Sequence, residues 1–422
     1  MSEWTNVALA DIADIRFSNV DKKTIHGEVP VRLCNYMDVY GNDYITANLQ
    51  FMEASATHAE IERFRVECGD VIVTKDSETP DDIGIPAVVV DEIANLVCGY
   101  HLALIKPHRE KIDSIYLAKQ LSSKPIAARF AQLANGSTRY GLSSSAIAST
   151  TVPLAPRAQQ CRIAEILSTL DDAIEQTAAL IAKHQQIKAG LMHDLFTRGV
   201  TSDGHLRPTR EQAPDLYKES PLGWIPKEWE ISQLGEVAEV NRGKFTIRPR
   251  NDLRFYGGQY PFIQTGDVSL ANGRVLSTFS QTLNQSGLAV SRLFDEGTIM
   301  VTIAANIADT CVLGLPMCAP YSLVGVLPNK GQVSRFLQLC ISRRKSWLEA
   351  RAPQTAQKNI NLEDLRPLLI PSPCQHEQEA IAAIYECVDF SLAESEQMVG
   401  KLRQQKYGLM HDLLTGRMRV NV

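Results

Sequence analysis

Residues 160–197 read QCRIAEILSTLDDAIEQTAALIAKHQQIKAGLMHDLFT, and residues 378–415 read QEAIAAIYECVDFSLAESEQMVGKLRQQKYGLMHDLLT. The stretches superpose without a gap at an offset of 218 residues. Gln160, Ile163, Ala164, Ile166, Asp171, Lys183, Gln186, Lys188, Gly190, Leu191, Met192, His193, Asp194, Leu195 and Thr197 are identical in both. Fifteen identities in 38 ungapped positions exclude coincidence, so the chain carries an internal repeat. Upstream the match loosens. EWTNVALADIADI from Glu3 matches EWEISQLGEVAEV from Glu228, GDVIVT from Gly69 matches GTIMVT from Gly297, and VPLAP from Val152 matches LIPSP from Leu369. Each half runs from a globular region through a Pro-punctuated strand end into a long helix. The globular regions diverge while the helices agree, which implies two heads with different targets on one scaffold.

The helices carry heptads. In the first, Ile163, Leu170, Thr177, His184 and Leu191 recur every seven residues, with Leu167, Ile174, Ile181, Lys188 and Leu195 as the second seam position. The other copy gives Ile381, Val388, Ser395, Leu402 and Leu409, with Tyr385, Leu392, Val399, Lys406 and Leu413. Mostly apolar seams over about five heptads are the coiled-coil pattern. A helix of about 40 residues spans about 60 Å and is too polar to stand alone. Its nearest partner is the other copy, lying antiparallel, because a folded head separates the two in sequence; the alternative is two amphipathic helices, each packed on its own head.

Between the halves, TRGVTSDGHLRPTREQAPDLYKESPLGWIPKEW (residues 197–229) is rich in Pro, Gly and charge without periodicity, and reads as a connector. The heads show short β-branched runs (Val71–Thr74, Ala87–Val90, Thr298–Ile303, Leu323–Val326), followed by helices expected near 114–134 and 332–350. The expected fold is therefore α+β. Two similar heads, each with a curved sheet, alternate with two long antiparallel coiled-coil helices in a pseudo-twofold repeat. The expected boundaries are 1–155 for the first head, 156–198 for its helix, 199–222 for the linker, 223–373 for the second head and 374–416 for the C-terminal helix.

At 44% hydrophobic and 22% charged residues, the chain has the composition of a globular protein. It has no run of 18 uncharged apolar residues, and its acidic N-terminal stretch is unlike a signal peptide, so a cytoplasmic, membrane-free protein is expected. Nine scattered cysteines without a Cys-x-x-Cys read as reduced thiols, and Cys98 with His101 lacks the second ligand pair that a metal would need. The net charge of −5 hides a split: residues 1–155 hold 14 Lys/Arg against 20 Asp/Glu, and residues 223–373 hold 16 against 12. Phosphate affinity depends on where cations sit, so this sum neither requires nor forbids DNA binding.

Catalytic patterns are missing. The chain has no GxxxxGK[ST] loop, no Gly-rich dinucleotide loop, no Asn/Asp-Pro-Pro-Tyr of amino-methyltransferases and no Pro-Asp with a downstream Asp/Glu-x-Lys. His193-Asp194 and His411-Asp412 resemble acid–base pairs, but both fall in the last turn of a long helix, where His suits the helix dipole. No cofactor, metal or covalent chemistry is expected.

ESPLGWIPKEWEISQLGEV (residues 219–237), the repeated GLMHDL ending and the paired-Pro-then-Gln entry into each long helix (Pro153 and Pro156, Pro371 and Pro373) resemble the specificity subunits of type I restriction–modification systems. The resemblance covers nearly the whole chain. It implies that each head is a target recognition domain reading one half of a split DNA site, and that the helices are an antiparallel spacer. It further implies two docked methyltransferase subunits, and motor–nuclease subunits in the full complex. Where the family often has Asn-Ile-Gly-Lys after the GDVIVT-like strand, this chain has Asp82-Ile83-Gly84-Ile85 and Asn306-Ile307-Ala308-Asp309.

DNA contact needs cations for phosphate and Arg, Lys, Asn, Gln, Ser or Thr for base edges. Residues 241–254 supply Arg242, Lys244, Arg248, Arg250 and Arg254 against one acid, Asp252. Gln354, Thr355, Gln357, Lys358 and Asn359 form a polar run before the second helix, and Asn135, Ser137, Thr138, Arg139 and Tyr140 form its counterpart. Lys75, after the VIVT strand, is a further candidate, whereas Arg343, Arg344 and Lys345 read as an exposed helix face. Two other readings stay open: the same module in a methyltransferase without a motor partner, and a coiled-coil adaptor whose ends bind proteins.

Overall fold

The computed structural model describes residues 4–304, 306–352 and 359–421. The chain divides into two units, one formed by residues 1–180 with 395–422 and the other by residues 181–394. The units share one plan. In the first, a five-stranded sheet has the order Ala13–Phe17, Leu102–Pro107, Val71–Thr74, Pro86–Val89, Tyr44–Ile45. In the second, the order is Ala238–Arg242, Leu323–Pro328, Ile299–Thr302, Thr310–Leu313, Val275–Leu276. The edge strand pairs in parallel in both, and the other pairings are antiparallel.

The run VIVT has no alternation because both faces of its strand are covered. Val71 and Val73 pack with Tyr116, Leu117 and the helix residues Ile163 and Leu167, while Ile72 faces the opposite way, toward Leu33, Cys34 and Cys98. The second unit repeats this: Ile299 and Val301 join Phe336, Leu337, Leu195 and Ile381, and Met300 faces Ile263 and Met317. The period-2 geometry of a strand thus assigns alternate residues to two cores, with helices on one side and a second sheet on the other. At about 1.5–3 kcal/mol for each fully buried Val or Ile, the two cores hold the central strand in register.

That second sheet departs from the single curved sheet expected for each head. It comprises Met52–Ala56, Val29–Cys34 and Leu96–Cys98 in the first unit. In the second it comprises Gln281–Leu283, Tyr256–Phe262, Met317–Ala319 and Arg292–Phe294. In each, the long strand is antiparallel to one neighbour and parallel to another. Gly257, Gly258 and Pro261 interrupt the β-branched signal of the strand in the second unit. Each head's first and last strands also pair, Thr5–Ala8 with Thr151–Leu154 and Glu230–Gln233 with Leu369–Ser372, immediately before the long helix.

The helices expected as single elements near 114–134 and 332–350 are each broken in two. Ser114–Leu121 stops before Lys124–Leu133, where Pro125 occupies the first turn, the position that tolerates its missing N–H. Ser334–Arg343 stops before Lys345–Arg351 with Arg344 between them (φ −96°, ψ 8°), and neither Pro nor Gly marks this break.

The long helices cover Arg157–Thr197 and Gln375–Leu414. Within each unit they run antiparallel. Ile163 and Leu167 share a core with Leu413 and Leu414 in one, and Leu195 shares a core with Ile381 in the other. All twenty heptad positions are buried or half-buried, whereas Leu180, Ile187, Phe390, Met398 and Tyr407, which lie off the seam, are exposed. The expected class is the one observed: α+β, one plan built twice, with long antiparallel helices.

The stretch 199–222 is not a bare connector. Val200, Arg207 and Tyr217 are buried in the second unit, and Tyr217–Ser220 pairs with Gly223–Pro226 as a hairpin. Arg207 pairs with Glu377, whose carboxylate also accepts from Trp229 Nε1 (3.0 Å) and the Val200 amide (2.8 Å). Single anchors rather than an apolar face hold this segment, which is why it shows no periodicity. Gln159 stands where the other copy has Glu377, and it accepts from Trp4 Nε1 at 3.0 Å.

One loop recurs despite unlike sequences. The Gly84 amide donates to Thr74 O (3.0 Å) and the Ile85 amide to Thr74 Oγ1 (3.0 Å); the Ala308 amide donates to Thr302 O (2.8 Å) and the Asp309 amide to Thr302 Oγ1 (3.0 Å). The turn needs a left-handed residue, Gly84 at φ +78° and Ala308 at φ +60°. Alanine there is strained by about 1–2 kcal/mol. Ala308→Gly is therefore expected to raise the thermal midpoint, by about 1 kcal/mol of stability. Gly84→Ala should lower it by more than that, since its new Cβ would lie 2.3 Å from the Phe130 ring. Equal, negligible shifts in both variants would contradict this account of the loop.

Candidate nucleic-acid interface

The strand after VIVT leads straight to the polar stretch named from the sequence. Asp76–Ser77 pairs with Tyr140–Gly141, the Leu142 amide donates to Lys75 O (2.8 Å), and Asn135 closes the loop against Gly141. Ser137, Thr138 and Arg139 stand exposed at its tip, and Tyr140 is half-buried. The second unit has the same junction: Asn359 bridges to Ala304, and the Ile360 amide donates to Ile303 O (3.0 Å). Gln354, Thr355, Gln357 and Lys358 lie outside the described residues.

Lys75 is tied into its own unit. Its ammonium donates to Ser18 O (3.0 Å) and lies over the rings of Tyr100 (4.9 Å) and Phe17 (5.1 Å), and burial lowers its pKa, with Asp76 opposing. The basic segment spreads out rather than converging. Arg242 donates to Tyr321 O (2.7 Å), Arg248 to Ile247 O (2.8 Å), and Arg254 is paired with Asp252 (2.6 Å). The Lys244 and Arg250 side chains are exposed, and Arg250 reaches a cleft. Arg343 lies over the Phe196 ring (4.7 Å), Arg344 over Trp347 (5.2 Å), and Lys345 pairs with Asp309 (2.5 Å). The trio thus closes a helix end rather than forming a purely solvated face. Lys345 also holds the loop in which Asp309 stands at the family's lysine position.

The cleft in the second unit, about 600 Å³, is lined by Arg250, Asn251, Gln264, Ser280, Gln281 and Tyr321 above an aromatic floor. Phe245, Tyr256 and Phe262 form that floor, with ring centroids 5.1–6.1 Å apart. A cleft of about 460 Å³ in the first unit carries Tyr36, Tyr40, Asp76, Asp82, His101 and Arg139. Tyr40 donates to Asp82 (2.8 Å), and His101 Nδ1 meets Asp76 (2.8 Å). His101 is thus engaged by a carboxylate, while Cys98 is fully buried and its thiol pKa is raised by burial. Each cleft borders a capped turn at the end of the parallel-paired strand. The Asn35 amide donates to Asp38 (2.7 Å) and the Gln264 amide to Asp267 (2.7 Å), with the reciprocal bond closing a capping box in both. Sequence reasoning missed these residues. The signal was Asn35-Tyr-Met-Asp38-Val beside Gln264-Thr-Gly-Asp267-Val, a cap residue followed three positions later by an acid.

Behind the clefts, the repeat's identical residues tie head to helix. Gln160 accepts from the Asp113 amide (2.8 Å) and donates to Ala155 O (2.8 Å); Gln378 accepts from the Val333 amide (3.0 Å) and donates to Pro373 O (3.0 Å). Asp171 pairs with Lys406 (2.5 Å) and with the head's Lys119 (2.6 Å), and Tyr44 donates to it (2.7 Å). Asp389 pairs with Lys188 (2.5 Å) and with the head's Arg335 and Arg274 (3.5 Å each). These are the same two repeat positions, Asp and Lys, paired across the helices in each unit. Burial opposes the charge of Lys188, yet the hydrogen bond to Asp389 raises its pKa. Burial likewise works against Asp43, yet Lys119 and Lys406 hold its carboxyl below the usual range. His193 and His411 are exposed at the helix ends, and Asp194 pairs with Arg198 (3.1 Å). Among the described residues no cluster of three His, Cys, Asp or Glu is placed to hold a metal, and no helix is long and apolar enough to cross a membrane.

A family model described as the type I restriction modification DNA specificity domain matches residues 1–184 and again 226–397, so the chain belongs to that family, whose specificity subunits recognise DNA without catalysing its modification. It is similar to the provisionally named type I restriction enzyme MjaX specificity subunit of Methanocaldococcus jannaschii, 24% identical over 99% of this chain and 94% of that protein. It is also similar to the HindI specificity subunit of Haemophilus influenzae, 20% identical over 92% and 94%. Among solved structures, the S subunit of a type I restriction–modification system from M. genitalium matches 98% of this chain and 96% of that one at a TM-score of 0.63 and 15% identity.

Removing one partner from a buried ion pair costs more than the pair contributes. Asp389→Ala leaves Lys188, Arg274 and Arg335 facing one another and is expected to lower stability by about 3 kcal/mol. Lys188→Met leaves Asp389 its two arginines and should cost about 1 kcal/mol. Thermal melts of the two variants measure the difference; equal losses would contradict the hub role of Asp389.

Proposed function

We propose that this chain reads DNA sequence for a type I restriction–modification complex, each unit recognising one half of a bipartite target. Its protein partners are two methyltransferase subunits and, in the full complex, motor–nuclease subunits. The observation that carries this reading is a shared frame with unlike clefts. Topology, capped turn, left-handed loop and helix anchors recur in both units, while the second cleft is lined by Arg250, Asn251, Gln264 and Gln281 and the first by Tyr36, Asp76, Asp82, His101 and Arg139. Base edges are distinguished by such donor and acceptor sets, so two linings on one frame suit two different half-sites.

Arg250 is the basic-segment side chain that is exposed beside a cleft, and it contributes a phosphate contact. In complexes with methyltransferase subunits, Arg250→Ala should weaken binding to the target and reduce the log–log salt slope by about one unit. Unchanged affinity and slope would place the second unit's DNA face elsewhere. A wild-type complex with no sequence-dependent gain in affinity would overturn the reading itself.

A further inference from the structure

In the second cleft one side-chain amide holds another beside the capped turn. The Asp267 backbone N–H donates to the Gln264 backbone carbonyl (3.1 Å), Gln264 Nε2 donates to Gln281 Oε1 (3.2 Å), and Ser280 Oγ and the Gln264 backbone amide both donate to Asp267 Oδ2 (2.8 and 2.7 Å). The held amide is that of Gln281, exposed on the cleft wall. Its Oε1 keeps one lone pair and its Nε2 keeps two donors. The strand carrying it is anchored by Leu283, buried with Phe245 and Phe262. Such a side chain is held in orientation before any ligand arrives, which lowers the entropic cost of binding. An acceptor beside a donor on one planar amide matches the N6–H and N7 edge of adenine in the major groove.

We infer that Gln281 reads an adenine in the second half-site and that Gln264 positions it. The inference rests on the proposed DNA reading and adds to it a residue and a base. The first unit is different at the same places. Leu33 lies opposite Met52 where Phe262 lies opposite Gln281, and Asn35 stands where Gln264 does. An apolar Met52 offers no amide edge, so the two units do not read this position alike.

The test uses the chain assembled with its methyltransferase subunits, and duplexes carrying each of the four base pairs at every position of the second half-site. With wild type, one position should prefer adenine. Gln281→Ala should reduce that preference by about 10- to 100-fold while leaving the other positions and the first half-site unchanged. Gln281→Glu, acceptor only, should move the preference at that position toward cytosine, whose N4–H is a donor. Gln264→Leu should weaken discrimination at the same position alone, a change that a general loss of stability would not produce. If Gln281→Ala and Gln281→Glu both keep wild-type preferences at every position while wild type still discriminates, Gln281 is not a reader and the DNA reading survives. If wild type shows no preference in the second half-site, the DNA reading falls and this inference falls with it.

Discussion

Asp171 and Asp389 are the points on which both units depend. Each stands on a long helix, meets the repeat-equivalent lysine of the other long helix, and meets a cation from the head of its own unit: Lys119 in one, Arg335 in the other. A carboxylate with at least two cationic partners in a largely buried setting is stable only when all are present. Alignment of the helices and seating of the head are therefore coupled at one residue. A slip of one helix by a heptad would bury an unpaired aspartate and an unpaired lysine, so the ion pairs specify register where the apolar seam alone would tolerate several. The buried Gln160 and Gln378 add direction: each spans the start of its long helix and the start of a head helix, so the head cannot rotate without leaving buried polar groups unpaired.

That coupling explains why the helices of the repeat agree while the heads diverge. The hub constrains Asp171, Lys188, Gln160 and their copies, and the heptads constrain the apolar seam. The cleft walls carry no such constraint. The capped turns at Asn35 and Gln264 keep their shape through a backbone–carboxylate bond, which leaves the remaining cleft side chains free to change. The loop with Gly84 and Ala308 shows the same economy: backbone and threonine bonds hold its form, and the family's lysine becomes Ile85 in one copy and Asp309, paired with Lys345, in the other.

Features that repeat or keep a period were legible in the sequence. The offset of 218 residues exposed the doubled plan, the heptads exposed the helices, and the β-branched runs at Val71–Thr74 and Thr298–Ile303 exposed the central strands. Features held by single contacts were not. The second sheet hides behind Gly257, Gly258 and Pro261. The segment after Thr197 is held by Arg207 and Val200 on Glu377, a contact across 170 residues or more that no local pattern announces. Among candidate site residues, Lys75 has its ammonium engaged by Ser18 and two rings, and Arg254 is paired with Asp252, partners that charge alone does not announce. The glutamines of the cleft carry no charge and no period, and only the shared cap-x-x-Asp spacing pointed to their turn.

Two unlike heads on one repeated frame should read two separate blocks of DNA. Mapping methylated adenines across the genome of cells that express this chain with its methyltransferase subunits addresses that directly. One motif made of two short specified blocks separated by a fixed number of unspecified base pairs is expected. Methylation at a single contiguous block, or without any shared motif, would contradict it.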